Sequence, residues 1–318
     1  MKNKKAMFSS IADELIAAER VVKQRHKIYQ RNNRCELQLL LNDAVSLKEV
    51  LRLRATNNKR KTAKYYSTQN DFLDYMILVH LDYFILIATR FNLGKNRWRR
   101  YSKESYTFKS LLYFSFLITN LTNILLSFRR LLEEGFDLSA KILLRSYMEY
   151  ADLAIAIISN EEFYHRYLEG NGTFDVATSV WYNQLRPKMM EKQLKKIYTN
   201  IDVTGNLWSA VSDVRKDAYQ FLSMFVHGSY IANVVSSHGF NFDDTVTKSS
   251  IGGAVSESSQ PAIEYMIAYS YFFLNFSLYP IVHYHKLPLK KFGNDGIYHS
   301  YLCGIMDDMI RNHSERIF

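Results

Sequence analysis

Residues 131–158, LLEEGFDLSAKILLRSYMEYADLAIAII, admit few arrangements other than a helical hairpin. Gly135 can take the left-handed conformation that ends one helix. Asp137 can accept from the free amides of the next helix as its N-cap. In that second helix Leu143, Leu144, Tyr147, Met148, Ala151, Ala154, Ile155 and Ile158 recur at helical spacing and form an apolar face. Lys141, Arg145, Glu149 and Asp152 form a charged line on another side.

The rest of the chain is punctuated by only 4 prolines and 12 glycines in 318 residues, and its apolar runs far exceed strand length. The fold class expected is therefore all-α, a multi-helix bundle. Residues 110–128 carry no charge and reach the length of a membrane span. Thr119, Asn120, Thr122 and Asn123 sit in the middle of that run, which favours a core helix over a lipid-exposed one. Cys35 and Cys303 have no metal or redox spacing and read as reduced thiols. With charges but no apolar run at the start, no signal peptide is expected, and the chain reads as cytoplasmic.

Charge is distributed unevenly. Residues 1–64 hold 16 Lys and Arg against 6 Asp and Glu, whereas residues 65–318 hold 25 of each. The whole net charge of +10 therefore belongs to the first fifth of the chain. Residues 1–67 are expected to form a basic helical extension, with helices over about 10–30 and 36–54. Residues 52–64 would be a basic linker in which Lys59, Arg60, Lys61 and Lys64 lie within six residues. Such a run suits phosphate backbones or an acidic partner; an ordinary solvated helical pair has the same composition.

A bundle would fill residues 68–318. Helices are expected over 71–92, 110–128, the hairpin, 161–170, 174–199 and 207–235, followed by one opened by Pro261 and one over 298–317. Residues 236–260, rich in Ser, Gly and Asp, read as a mobile loop. Between the first two of these helices Arg97, Trp98, Arg99 and Arg100 form a basic aromatic loop able to pair phosphates and stack bases. An exposed inter-helix loop would look the same.

No phosphate-cradling Gly-Lys loop, paired-His metalloprotease motif, nucleophile elbow or CxxC is present, which removes several enzyme classes. His283 and His285 are two residues apart and would leave a helix on different sides, so no shared metal is expected there. They read instead as a helix-end feature favoured by the C-terminal dipole. Neither metal nor cofactor is expected.

Two segments carry a resemblance. Glu133, Gly135, Ala140, Leu143, Arg145, Ser146 and Glu149, followed by Tyr219, Leu222, Ser223, Val226, His227 and Gly228, form a pattern that resembles a bacterial helical family of unknown function. Its members look like distant relatives of the HEPN superfamily, helical bundles found in toxin and antiphage systems. The likeness covers about residues 105–235. It implies metal-independent RNA cleavage by an Arg and a His near a dimer seam, hence RNA as target, a homo-oligomer, and a possible partner protein of a defence system. Membrane association is not implied. Active HEPN nucleases carry Arg, a polar residue and His close together on one helix; beside His227 no such motif exists. Arg215 precedes His227 by twelve residues, about 18 Å along a helix. Arg20 and His26 have the spacing, but with apolar Val21 in the polar position.

The remaining arrangement is composite. Arg145 from the hairpin would face His227, with Glu149 orienting one of them and Ser223 adding a hydroxyl one turn before the histidine. The competing structural reading makes Arg145 and Glu149 a buried ion pair tying two helices, with His227 capping a helix end before Gly228.

Overall fold

The computed structural model describes residues 44–92, 105–170, 172–201, 207–227, 238–241, 244–249 and 253–317. The expected helices over 10–30 and most of 36–54, the break at 203–206 and the Arg97–Arg100 loop lie outside the described residues. Among the described residues ten α-helices occur: α1 (Ala44–Tyr65), α2 (Ser67–Asn92), α3 (Tyr106–Glu134), α4 (Asp137–Ser159), α5 (Glu161–Glu169), α6 (Phe174–Val180), α7 (Pro187–Ile201), α8 (Leu207–Val226), α9 (Gln260–Tyr279) and α10 (Asn294–Ile317). The expected all-α bundle is what forms, with one small addition. Strands β1 (His238–Asn241) and β2 (Asp244–Ser249) pair antiparallel within the stretch expected to be a loop.

The hairpin of α3 and α4 is the centre, and this pair shares more contact than any other. Gly135 adopts φ 80°, ψ 22°, and the Gly135 and Phe136 amides donate back to Leu132 and Leu131 carbonyls, so α3 ends in a Schellman motif. Leu153 through Ile158 are all buried, which means the second half of α4 has no solvent face. Helix α3 is long and apolar enough to cross a membrane, and half of its most apolar window is buried within the bundle.

Asp137 is not the N-cap. Phe136 holds that position with no side-chain cap, and the Asp137 carboxylate turns inward. There it accepts from Lys141 Nζ (2.5 Å), Ser258 Oγ (2.9 Å) and Ser259 Oγ (2.8 Å). Lys141 is fully buried with its ammonium 3.9 Å from the Phe225 ring centroid, so the charged line expected along α4 is in part interior. Burial lowers the Lys141 pKa, and the adjacent Asp137 opposes that shift.

The supposed mobile loop is therefore anchored at its C-terminal end. The Ala254 amide donates to the Gly135 carbonyl (2.9 Å), Tyr66 donates to the Ser256 carbonyl (2.7 Å), and Val255 is in the core. Gly253, at φ 89°, lies so close that an added Cβ would sit 2.1 Å from the Glu134 carbonyl oxygen.

The basic run is not a linker either, since Lys59–Lys64 belong to α1. Asn58, Thr62 and Tyr66 fall four residues apart and bury against the bundle. Asn58 donates to the Glu134 carbonyl (2.8 Å) and Thr62 adds a second donor to that of Leu132 (3.3 Å), tying α1 to the end of α3. The opposite face of α1 leaves Lys59, Arg60 and Lys64 in solvent and Lys61 half-buried.

The helix expected over 174–199 is broken. A single π-helical turn, Trp181–Leu185, follows α6; Arg186 then takes an extended conformation before Pro187 opens α7. The residue before a proline is driven out of the helical region by the pyrrolidine ring. Helix α8 runs from Leu207 to Val226, and residues 228–235 of the expected helix lie outside the described residues. Pro261 lies in the first turn of α9 as expected.

Candidate functional site

Helix α8 presents one stripe, Ser212, Lys216, Gln220, Ser223 and His227, along an open groove of about 520 Å³. Arg145 from α4 and Pro187 and Glu191 from α7 line the same groove, and Arg215 and Tyr219 join them from α8. The structure thus brings Arg145, Ser223 and His227 to one solvent-reachable depression. Glu149 does not line the groove. It lies in the adjoining cavity and holds Arg145 by an ion pair (Nε to Oε1, 3.0 Å).

That pair is not the buried tie between helices that the competing reading required. Both residues belong to α4, Arg145 is 22% exposed and Glu149 is 51% exposed. His227 sits in the turn after α8, exposed, with its amide donating to the Ser223 carbonyl (3.1 Å). An exposed imidazole can accept or donate a hydrogen bond to a ligand, and a guanidinium can hold a phosphate through paired donors.

The buried inter-helix tie is a different pair. Arg215 Nε donates to Asp152 Oδ2 at 3.0 Å, each side chain being 7% exposed, and Tyr269 donates to Asp152 Oδ1 at 3.4 Å. Burial raises the Asp152 carboxyl above its ordinary value, and Arg215 opposes the shift. Burial pulls the Arg215 guanidinium down while Asp152 raises it further, and the net direction is up. The guanidiniums of Arg145 and Arg215 both lie against the Tyr219 ring, at 5.5 and 4.7 Å from its centroid. Arg215 and His227 line the same groove, twelve residues apart in the sequence.

The spacing of α4 puts Asp152 in a charged line apart from the apolar face, and Arg215 is too far from His227 along α8 to share its phosphate. A usable signal existed: Asp152 is the one acid in the apolar run Ala151–Ser159, and a buried carboxylate demands a partner.

Beyond the groove, Asp82, His299 and Cys303 form a chain that resembles a carboxylate–imidazole–thiol relay. His299 Nδ1 is 2.7 Å from Asp82 Oδ2, and His299 Nε2 is 3.6 Å from Cys303 Sγ. His299 is fully enclosed, and burial pushes the Cys303 thiol up to about 12. Such a thiol is a core strut rather than a nucleophile. His285 is likewise interior, not a dipole partner: it contacts the Ile158 carbonyl (2.7 Å) and Thr107 Oγ1 (3.2 Å), and burial lowers its pKa. Among the described residues no cluster of three or more His, Cys, Asp or Glu is placed to hold a metal ion.

What fold and site define is a helical bundle with a basic-walled groove along one helix. The sequence matches no protein-family model, no curated protein and no solved structure at a significant level.

Proposed function

We propose that this chain acts in the cytoplasm on RNA as a HEPN-like protein of a bacterial defence or toxin system, cleaving the strand without metal in the α8 groove. The observation that supports this reading is the convergence of Arg145, Ser223 and His227, from two helices far apart in sequence, on one open groove. His227 would take the proton of a ribose 2′-hydroxyl as that oxygen attacks phosphorus. The bond to the 5′-oxygen breaks, the 5′-oxygen takes a proton from solvent water, and a cyclic phosphate is left on the other product. Arg145 would hold the non-bridging oxygens, and Ser223 would donate a hydrogen bond from one turn away. A homo-oligomer would let a second copy supply a second imidazole.

A non-catalytic RNA-binding subunit, working beside a partner protein, is the second reading. It is favoured by the fact that Arg145 and Arg215 each already hold a carboxylate. The exposed face of α1 would then supply phosphate contacts through Lys59, Arg60, Lys61 and Lys64.

Purified protein incubated with RNA in EDTA separates the two. The nuclease reading expects cyclic-phosphate products, lost by at least 100-fold in His227→Ala with an unchanged melting temperature, since His227 is exposed. Persistent cleavage by that variant would sink it. The binding reading expects retention without products, with the slope of log K against log salt reduced by about 0.7 for each α1 charge converted to Gln. A slope indifferent to all four substitutions removes α1 from the interface.

A further inference from the structure

We infer that the cavity on the far side of Arg145 receives one unstacked nucleobase of a single-stranded ligand. The inference rests on the RNA reading and names the part of the ligand that would be read. The cavity measures about 390 Å³, inside the range of roughly 300–1,000 Å³ of small-molecule sites. It shares Arg145, Pro187, Arg215 and Tyr219 with the α8 groove, so a strand lying in the groove passes its mouth.

Its walls combine features that are costly unless something binds. Trp181 and Tyr150 line it while remaining 49% and 39% exposed, an aromatic pair left half in water. Trp181 begins the π-helical turn, a local departure from the α-helix of the kind that recurs at functional sites. Leu153, Leu185 and Met190 supply apolar surface. Among them lie Asp152, Glu149 and Arg215, and the buried Nη2 of Arg215 has no hydrogen-bond partner among the described residues. An unmade bond on a buried guanidinium nitrogen is an unusual feature that a ligand acceptor would remove.

The chemistry selects the occupant. A purely apolar ligand would leave the guanidinium and both carboxylates unanswered. A bare anion would answer Arg215 but meet Asp152 and Glu149, and would have no use for the indole. A nucleobase offers a flat π-face for Trp181 or Tyr150, ring and carbonyl acceptors for arginine N–H, and amino or imino donors for a carboxylate. Its flanking phosphate then falls to Arg145 on the ridge between cavity and groove.

The test uses the full-length chain with Trp98→Phe and Trp208→Phe, so that Trp181 is the sole indole. Nucleoside 5′-monophosphates are expected to quench its fluorescence saturably. Ribose 5-phosphate, which lacks the base, is expected to bind at least tenfold more weakly. In the otherwise native chain, Trp181→Leu is expected to weaken a single-stranded oligonucleotide by about 5- to 150-fold, the range of one lost stack. Equal binding of ribose 5-phosphate, or no saturable quenching by any nucleotide at millimolar concentration, overturns the base pocket while leaving RNA binding in the groove intact. Nucleotide quenching together with failure of every oligonucleotide to bind supports the pocket and defeats the RNA reading.

Discussion

Asp152→Ala is expected to destabilise the protein by about 3–5 kcal/mol, lowering the melting temperature by roughly 6 °C for a chain of this length. The size follows from what is left behind. Arg215 is 7% exposed and its Nε bond to Asp152 is a buried ion pair joining α8 to α4. Without the carboxylate, a guanidinium that already has one unpartnered nitrogen stays charged in a poorly hydrated wall. The double variant Asp152→Leu/Arg215→Met is expected to recover most of the loss, because an apolar pair of similar volume avoids the desolvation of both ions. Calorimetry of the two variants checks this. If the double variant is no more stable than Asp152→Ala alone, the cost lies in packing and not in the orphaned charge.

Acid is expected to unfold the protein through its buried imidazoles, His80 foremost. His80 Nδ1 donates to the Met76 carbonyl at 2.7 Å, so Nε2 is the acceptor for the Tyr147 hydroxyl at 2.6 Å. Phe273 stacks on the ring at 5.7 Å. Burial lowers the His80 pKa from 6.5 to about 4. As pH falls, the unfolded chain takes up the proton first. The stabilising contribution is complete above about 6.5, erodes as pH drops, and is fully lost below about 4, a change of roughly 3 kcal/mol. His285, lowered in the same direction by burial, adds to the same limb. Melting temperatures measured from pH 7 to pH 4 should show this loss, and His80→Gln should flatten the slope whatever it does to the absolute stability. An acid limb equally steep in His80→Gln would assign the effect to other groups.

Much of the frame was legible in the sequence, and particular residues show why. Gly135 marked the end of α3 because a left-handed residue can be read from glycine at the close of an apolar run. The apolar face of α4 followed from its periodicity, and Pro261 marked the start of α9. Pro187 marks the break within 174–199 as clearly, against a helical pattern on both sides that predicts continuity. Of the candidate site, Arg145, Ser223 and His227 lie in the two segments that carry the resemblance, and they line one groove.

Other features had no local trace. Asp137 has the composition of an N-cap, yet its carboxylate serves Lys141, Ser258 and Ser259, the serines lying more than a hundred residues away. The basic run on α1 looked like a linker because its buried partners, Asn58 and Thr62, bond to backbone carbonyls that no sequence pattern names.

Sequence alone determined what depends on neighbours along the chain: an all-helical class, the hairpin at Gly135 and the concentration of positive charge in the first fifth. Those follow from backbone sterics and from a periodicity of a few residues. Only the tertiary structure decided which charges face water and which are sealed, because solvation depends on elements that meet across the bundle. Arg215 and Asp152, 63 positions apart, became one buried pair for that reason. Arg145, 22% exposed and paired with Glu149, lines both the groove and the cavity.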